Sequence, residues 1–198
     1  FKPGVVIGIG GGSCMDMAKC VALQLTHGRS LRDYYGENKI PGPVIPVIAI
    51  PTTSGTGSEV TPVAVVADTE RGTKVGISSP YLIPAAAICD PELTLTCPPG
   101  LTACSGADAL THAIESYTAA RRAVTPDLTI TNVFVGKNAL SDIFGLAAIK
   151  NIFESLPRAY RDGNDVAARE SLMFASLAAG CAFGTAGTAA AHAIQYPF

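Results

Sequence analysis

The 198-residue sequence has no tryptophan, three methionines and three histidines, and only 15% of its residues are Asp, Glu, Lys or Arg. With so few, any histidine in an apolar setting needs a reason to be there. The six cysteines (14, 20, 89, 97, 104 and 181) form no CxxC pair, and several, such as Cys89 in "AAAICD", sit among apolar residues. This scatter argues against a disulfide framework or a zinc ribbon and fits the reduced thiols of a cytoplasmic protein. Gly, Pro or charge interrupts every apolar run before the ~20 residues that a membrane-spanning helix needs, so no membrane partner is expected. No basic segment followed by an apolar one opens the chain, so no export signal is read. A net charge of −2 gives no electrostatic ground for a nucleic acid or an anionic membrane as partner.

What is abundant is apolar: 48% of the residues are hydrophobic, enough to bury one ordinary domain or two small ones. The chain opens on "FKPGVVIGIG" without a Met and stops at "HAIQYPF", so it reads as the middle of a longer protein.

"GVVIGIG" (4–10) has the β-branched run of an interior strand of a parallel sheet. In "GGGSCMDMAKCVALQL", the spacing turns helical, with Met15, Ala18, Val21, Ala22 and Leu25 forming an inward face. "VIPVIAIP" (44–51) predicts a second buried strand, residues 60–79 a hairpin around "TERG", and "AAAICD" (85–90) a third buried strand. After the connector "PELTLTCPPGL" the pattern becomes helical, over 103–120, 139–156 and 165–183. The stretch 121–137 between them reads as a surface excursion. The chain is therefore α/β in its first half and all-α in its second, with a seam near Pro98–Pro99, a common place for a ligand cleft.

Strand, then Gly10-Gly11-Gly12-Ser13, then helix is the arrangement in which a backbone can approach a phosphate and present free helix amides to it. "GIGGGS" fits the dinucleotide fingerprint in part, because Ser13 stands where the third Gly would be. A tight turn with no ligand explains it equally well. The loop "PTTSGTGSE" also follows a strand, so the two loops are expected side by side at the C-terminal edge of one sheet. Thr52, Thr53, Ser54 and Thr56 offer hydroxyls, and Gly55 and Gly57 a close approach. Together the loops predict a nucleotide site. Asp16 and Lys19 lie either near that site or on a solvated helix face.

Asp108 and His112, four apart on a helix, lie one above the other. They either hydrogen-bond each other or bind one cation. His192, in the Gly/Ala-rich "GTAAAHAIQYPF", would complete a set of one carboxylate and two imidazoles suited to a first-row divalent metal such as Fe(II) or Zn(II). His27 reads as a surface residue.

"GGGSCMDMAK", "PTTSGTGSEVT", "DPELT" and "GADALTHAIESY", in this order and spacing, resemble the iron-activated (group III) alcohol dehydrogenase family over nearly the whole chain. The resemblance implies an α/β fold: a Rossmann-like parallel sheet with a β-hairpin (1–98), then an all-α metal-binding domain (99–198), on the dehydroquinate synthase-like plan. It implies that Gly11, Gly12, Ser13, Asp16, Thr52, Thr53, Thr56, Val65, Lys74 and Leu95 bind NAD or NADP. It assigns Asp108, His112 and His192 as ligands of a divalent metal, Fe(II) before Zn(II), through which they would be catalytic. A fourth ligand histidine would fall beyond Phe198, Tyr196 stands where the family has another histidine, and the opening βαβ unit is missing.

The implied activity is hydride transfer between the nicotinamide and a metal-bound alcohol or carbonyl, with a small alcohol or aldehyde as substrate and a homo-oligomer possible. A sugar-phosphate cyclase or a glycerol dehydrogenase shares this plan. A non-catalytic nucleotide-binding fragment is the reading from another class.

Overall fold

The computed structural model describes residues 2–195. Its strands are β1 (Val6–Gly10), β2 (Gly36–Glu37), β3 (Val47–Pro51), β4 (Val63–Asp68), β5 (Thr73–Ser78) and β6 (Ala86–Ala87). Its helices are α1 (Gly12–His27), α2 (Pro99–Thr118), α3 (Leu128–Thr131), α4 (Ala139–Arg161), α5 (Val166–Ala186) and α6 (Ala190–Gln195). One sheet has the order β1-β3-β6 and is parallel throughout; the other has the order β2-β5-β4, with β4 and β5 antiparallel from Val63↔Ser78 to Asp68↔Thr73. The α/β half followed by a helical half, and the hairpin, are as the sequence pattern implies.

Two strands differ from expectation. β1 pairs on one side only, with β3, and Ile7 and Ile9 are more than half exposed, so among the described residues it is an edge strand and not an interior one. The segment 85–90 contributes only the two-residue β6, whose alanines are exposed, because it meets β3 over two residues and, among the described residues, has no strand beyond it.

Helix α1 is also rotated from its expected phase. Its buried residues are Met15, Ala18, Lys19, Cys20, Ala22 and Leu23, while Val21 and Leu25 face outward. The helix lies between the parallel sheet and the hairpin, so it buries two faces: Ala18 and Ala22 meet Val47, and Cys20 and Leu23 meet Ala64 and Ile77. Burying side chains of this size stabilises by about 1.5–3 kcal/mol each for the larger ones. Lys19 lies inside this layer, fully buried. Its ammonium donates to the carbonyls of Thr61 (2.9 Å) and Val63 (2.7 Å), tying α1 to the start of β4. The solvated-face reading of Lys19 is thereby overturned.

In the helical half, α2, α4 and α5 pack on one another around Ala109, Ala113, Ala148, Ile152, Leu172, Ala175 and Ala179. Alanine on facing surfaces lets helix axes approach closely. The helices outrun their expected bounds for local reasons. Pro99 is tolerated in the first turn of α2, where its missing N–H costs nothing. α4 continues through Pro157 to Arg161 and begins at a capping box of Asn138 and Ser141. α5 is, by length and composition, apolar enough to cross a membrane, a stretch the sequence reading passed over. Most of it is buried against α2 and α4, as a core helix is.

The halves meet at α5, which packs on the turns at Ser58–Val60 and Pro91–Thr94. There Arg169, also buried, donates to the Gly163 carbonyl, the Thr102 hydroxyl and the Cys97 carbonyl, so the connector is held by α5. The excursion 121–137 is exposed over most of its first half, as expected. Its second half meets the end of β2, where the Val133 amide donates to Glu37 at 2.8 Å.

Candidate metal centre and cofactor cleft

The register of the parallel sheet places the two sequence loops together. Gly10 pairs with Pro51, and the Thr52 amide donates to the Gly10 carbonyl at 3.0 Å, so both loops leave the same edge as neighbours. No side chain caps the N-terminus of α1 at Gly11, and its first turn carries no acidic residue. The amides of Gly12 and Ser13 are therefore open to an anion.

The glycines of the second loop have a different use from the one expected. Gly55 and Gly57 pack against Ser105 of α2 and Gly180 of α5, where an added Cβ would come within 2.7 and 2.6 Å. Their close approach is to the helical half, and it brings the hydroxyl loop onto the helices. Gly12 faces Thr56, whose Cγ2 would lie 2.5 Å from an added Cβ, so the two loops are fitted to each other.

Asp16 holds the inner end of this region. Its carboxylate accepts from the Ser58 hydroxyl at 2.6 Å and from the Val65 amide at 3.0 Å. Burial raises its pKa, against the pull of Lys19 and of those hydrogen bonds. Lys19 itself is pushed down to about 8 by burial, opposed by Asp16 and Glu59. Lys19 thus acts behind the cleft wall and not in it.

Asp108, His112 and His192 come together. One ligand atom from each lies within 4.8 Å of the others. Asp108 and His112 lie on α2, with His112 Nδ1 4.0 Å from one Asp108 oxygen. α5 ends at Gly187, whose φ of 87° favours glycine, and the chain turns back into α6 to bring His192 Nε2 within 3.5 Å of the other Asp108 oxygen. The imidazoles stack, with centroids 4.4 Å apart, and Phe183 stacks on the far side of His112 at 4.1 Å.

His112 Nδ1 and His192 Nε2 are both buried without a hydrogen-bond partner. Two unpaired, buried imidazole nitrogens beside a carboxylate are costly unless something binds them. A divalent cation fits this donor set in number and type. Burial, with His192 alongside, lowers the pKa of His112 to about 4 in spite of Asp108, so its ring is neutral at pH 7. Burial also opposes charge on His192, but the neighbouring Asp108 and Glu115 carboxylates, the latter bonded to Nδ1, outweigh it and raise its pKa.

A cleft of about 290 Å³ joins the two regions. Asp16, Thr56, Val65 and Lys74 line it together with Asp108, His112 and His192. Gly11, Gly12, Ser13, Thr52 and Thr53 do not line it, and neither does Leu95, half-buried in the connector. Sequence reasoning missed Ser58, Phe134, Phe183 and Thr188, which also line the cleft, and Glu115, which holds His192. Of these, Ser58 stood in the quoted loop and Glu115 in the quoted helix. His27 is half-buried away from the site, its ring 3.2 Å from the Gly42 carbonyl. Tyr196 lies outside the described residues.

Residues 1–91 match the family model for iron-containing alcohol dehydrogenase, and residues 102–198 the model for the C-terminal part of Fe-containing alcohol dehydrogenases. The chain is 41% identical to the NAD-dependent methanol dehydrogenase of Bacillus methanolicus, over 96% of its own length and 46% of that protein's. Among solved structures it is similar to an alcohol dehydrogenase from Oenococcus oeni (TM-score 0.86, 34% identity, 96% of this chain and 46% of that one). It is also similar to a sulfoacetaldehyde reductase from Bifidobacterium kashiwanohense in complex with NAD+ (TM-score 0.80, 36% identity, 96% of this chain and 47% of that one). The chain spans just under half the length of these relatives. Two family models that between them take in both halves, and relatives matched along almost the whole sequence, place this chain in the iron-containing alcohol dehydrogenase family.

Proposed function

We propose that the intact protein is a metal-dependent, NAD(P)-linked oxidoreductase that interconverts a small alcohol and its aldehyde or ketone. The observation that carries this reading is that one cleft is lined both by a carboxylate and two imidazoles and by Thr56 of the hydroxyl loop, Asp16 and Lys74. Asp108, His112 and His192 would hold the cation, Fe(II) or Zn(II). When bound, it would supply Lewis acidity toward a substrate oxygen, and NAD or NADP would supply or accept the hydride.

The remaining roles belong to this chain's own residues. The open amides of Gly12 and Ser13, with Gly11 before them, would receive the cofactor's phosphates. Thr52, Thr53 and Thr56 add hydroxyl donors beside those amides. Lys74, exposed at the cleft wall, contributes positive charge, and Val65 an apolar surface. Leu95 would act from the connector. Asp16 keeps Ser58 and the Val65 backbone fixed, which sets the shape of the wall. Phe183 shields the inner face of His112 and keeps its ring neutral. The division into a cofactor-binding part (1–98) and a helical metal-binding part (99–198) follows the same logic, with the cleft between them.

A sugar-phosphate cyclase needs several cationic side chains for its phosphorylated substrate, whereas Lys74 is the one Lys or Arg lining this cleft among the described residues. That favours the oxidoreductase. The test uses the intact protein, stripped of metal and then reloaded, with NAD(H) or NADP(H) and a panel of short alcohols and aldehydes. Metal-dependent change in nicotinamide absorbance supports the proposal. Its absence with every substrate and both cofactors, in protein that binds metal, would count against it.

A further inference from the structure

Glu115 is buried on α2, where an unpaired carboxylate would be expensive, and all of its hydrogen-bonding capacity goes to one turn of another helix. One oxygen accepts from the Ala191 amide at 2.8 Å and the His192 amide at 3.3 Å. The other accepts from the Ala189 amide at 2.8 Å and lies 2.5 Å from His192 Nδ1. Asp108, His112 and Glu115 follow the helical spacing i, i+4, i+7, so α2 presents all three on one face. Two of them face the candidate metal position. The third reaches past it to the helix that carries the last imidazole.

We propose that Glu115 is a positioning residue that sets both the place and the tautomer of His192, holding a proton on Nδ1 so that the Nε2 lone pair is left for the metal. The backbone bonds fix the turn that carries His192. The ring bond fixes which nitrogen is bare, and a carboxylate behind a ligating imidazole makes that nitrogen a better donor. His192 Nε2 is buried with no hydrogen-bond partner, as a nitrogen kept bare for a metal would be.

The proposal rests on reading Asp108, His112 and His192 as a metal site, so the test includes a variant for each. Glu115→Gln has nearly the same volume but one acceptor oxygen in place of two, and its amide donors must face either two α6 amides or His192 Nδ1. In the second case the His192 proton moves to Nε2. Zn(II) affinity of the intact protein is measured by competition with a chelator, and the His192 tautomer by 15N NMR. Glu115→Gln is expected to lose 10- to 100-fold in Zn(II) affinity and the Nδ1–H signature of His192. Ile152→Val, which loosens the helical core away from the site, is expected to lower the melting temperature while both readouts stay put, which a merely structural role of Glu115 could not separate. If His192→Ala binds Zn(II) as tightly as the wild type, the metal reading itself fails. If His192→Ala loses Zn(II) while Glu115→Gln stays within twofold of wild type with Nδ1–H retained, the metal reading stands and the positioning role is overturned. Should Glu115→Gln not fold, Glu115→Asp, which withdraws the carboxylate by one methylene, is read in its place, and wild-type Zn(II) affinity there overturns the role equally.

Discussion

Replacing Lys19 by Met tests how the cleft wall is held. The ordinary lysine value is 10.5 and burial brings Lys19 to about 8, a difference that corresponds to about 3 kcal/mol of cost for keeping the charge inside the fold. Against that net cost, which already includes the attraction to Asp16, stand its bonds to the Thr61 and Val63 carbonyls, each of which would cost about 1–3 kcal/mol if left unpaired. Near pH 7 the opposing effects leave Lys19→Met less stable by about 1–3 kcal/mol. The pH dependence is more telling. A lysine whose native pKa is depressed loses its proton in the folded state first, so between pH 8 and 10.5 the unfolded chain binds more protons and the residue's contribution to stability rises with pH. Below pH 8 the cost is present in full; above 10.5 it is gone. The assay is urea unfolding of wild type and Lys19→Met at intervals from pH 7 to 10.5. The wild type is expected to gain up to about 3 kcal/mol relative to the variant across that window. Parallel curves, or a gap that narrows as pH rises, would refute the reasoning.

Gly12→Ala drives a Cβ to 2.5 Å from Thr56 Cγ2, so the loops must part; NADH affinity, followed by fluorescence titration, is expected to fall tenfold or more, and an unchanged value would contradict the joint-loop account. Gly187→Ala forces an L-residue to adopt a φ of 87° with extended ψ, at a cost of about 1–3 kcal/mol, and displaces the turn into α6. Zn(II) affinity should then fall along with melting temperature, whereas a loss of stability alone would detach that turn from the metal position.

Which side chains come together was more legible in the sequence than the packing around them. The four-residue spacing of Asp108 and His112, and the oddity of His192 among alanines and glycines, needed only helix geometry and a sense of where polar rings are expensive. That the two loops would be neighbours followed from each coming directly after a strand. Glu115 carries the same helical spacing, but its purpose depends on α6 folding back, which no local pattern announces. The sequence leaves Lys19 open between a solvated helix face and a place near the nucleotide site, because only the hairpin docked against α1 encloses it. The phase of α1 shifted for the same reason: a helix covered on two sides buries residues that a one-sided pattern leaves out. β1 read as interior from its β-branched run, yet pairing is a property of the sheet and not of the strand. Phe134 reaches the cleft from a stretch without periodicity, where sequence offers no guide to direction.

The most direct test of the account is the metal content of the intact protein after anaerobic equilibration with Fe(II), and separately with Zn(II), followed by removal of free ion. About one equivalent in the wild type, and little in Asp108→Ala or His112→Ala with NADH affinity nearly retained, is the predicted result. Equal metal in wild type and both variants would mean that Asp108 and His112 only satisfy each other inside the fold, and the proposed centre would be lost.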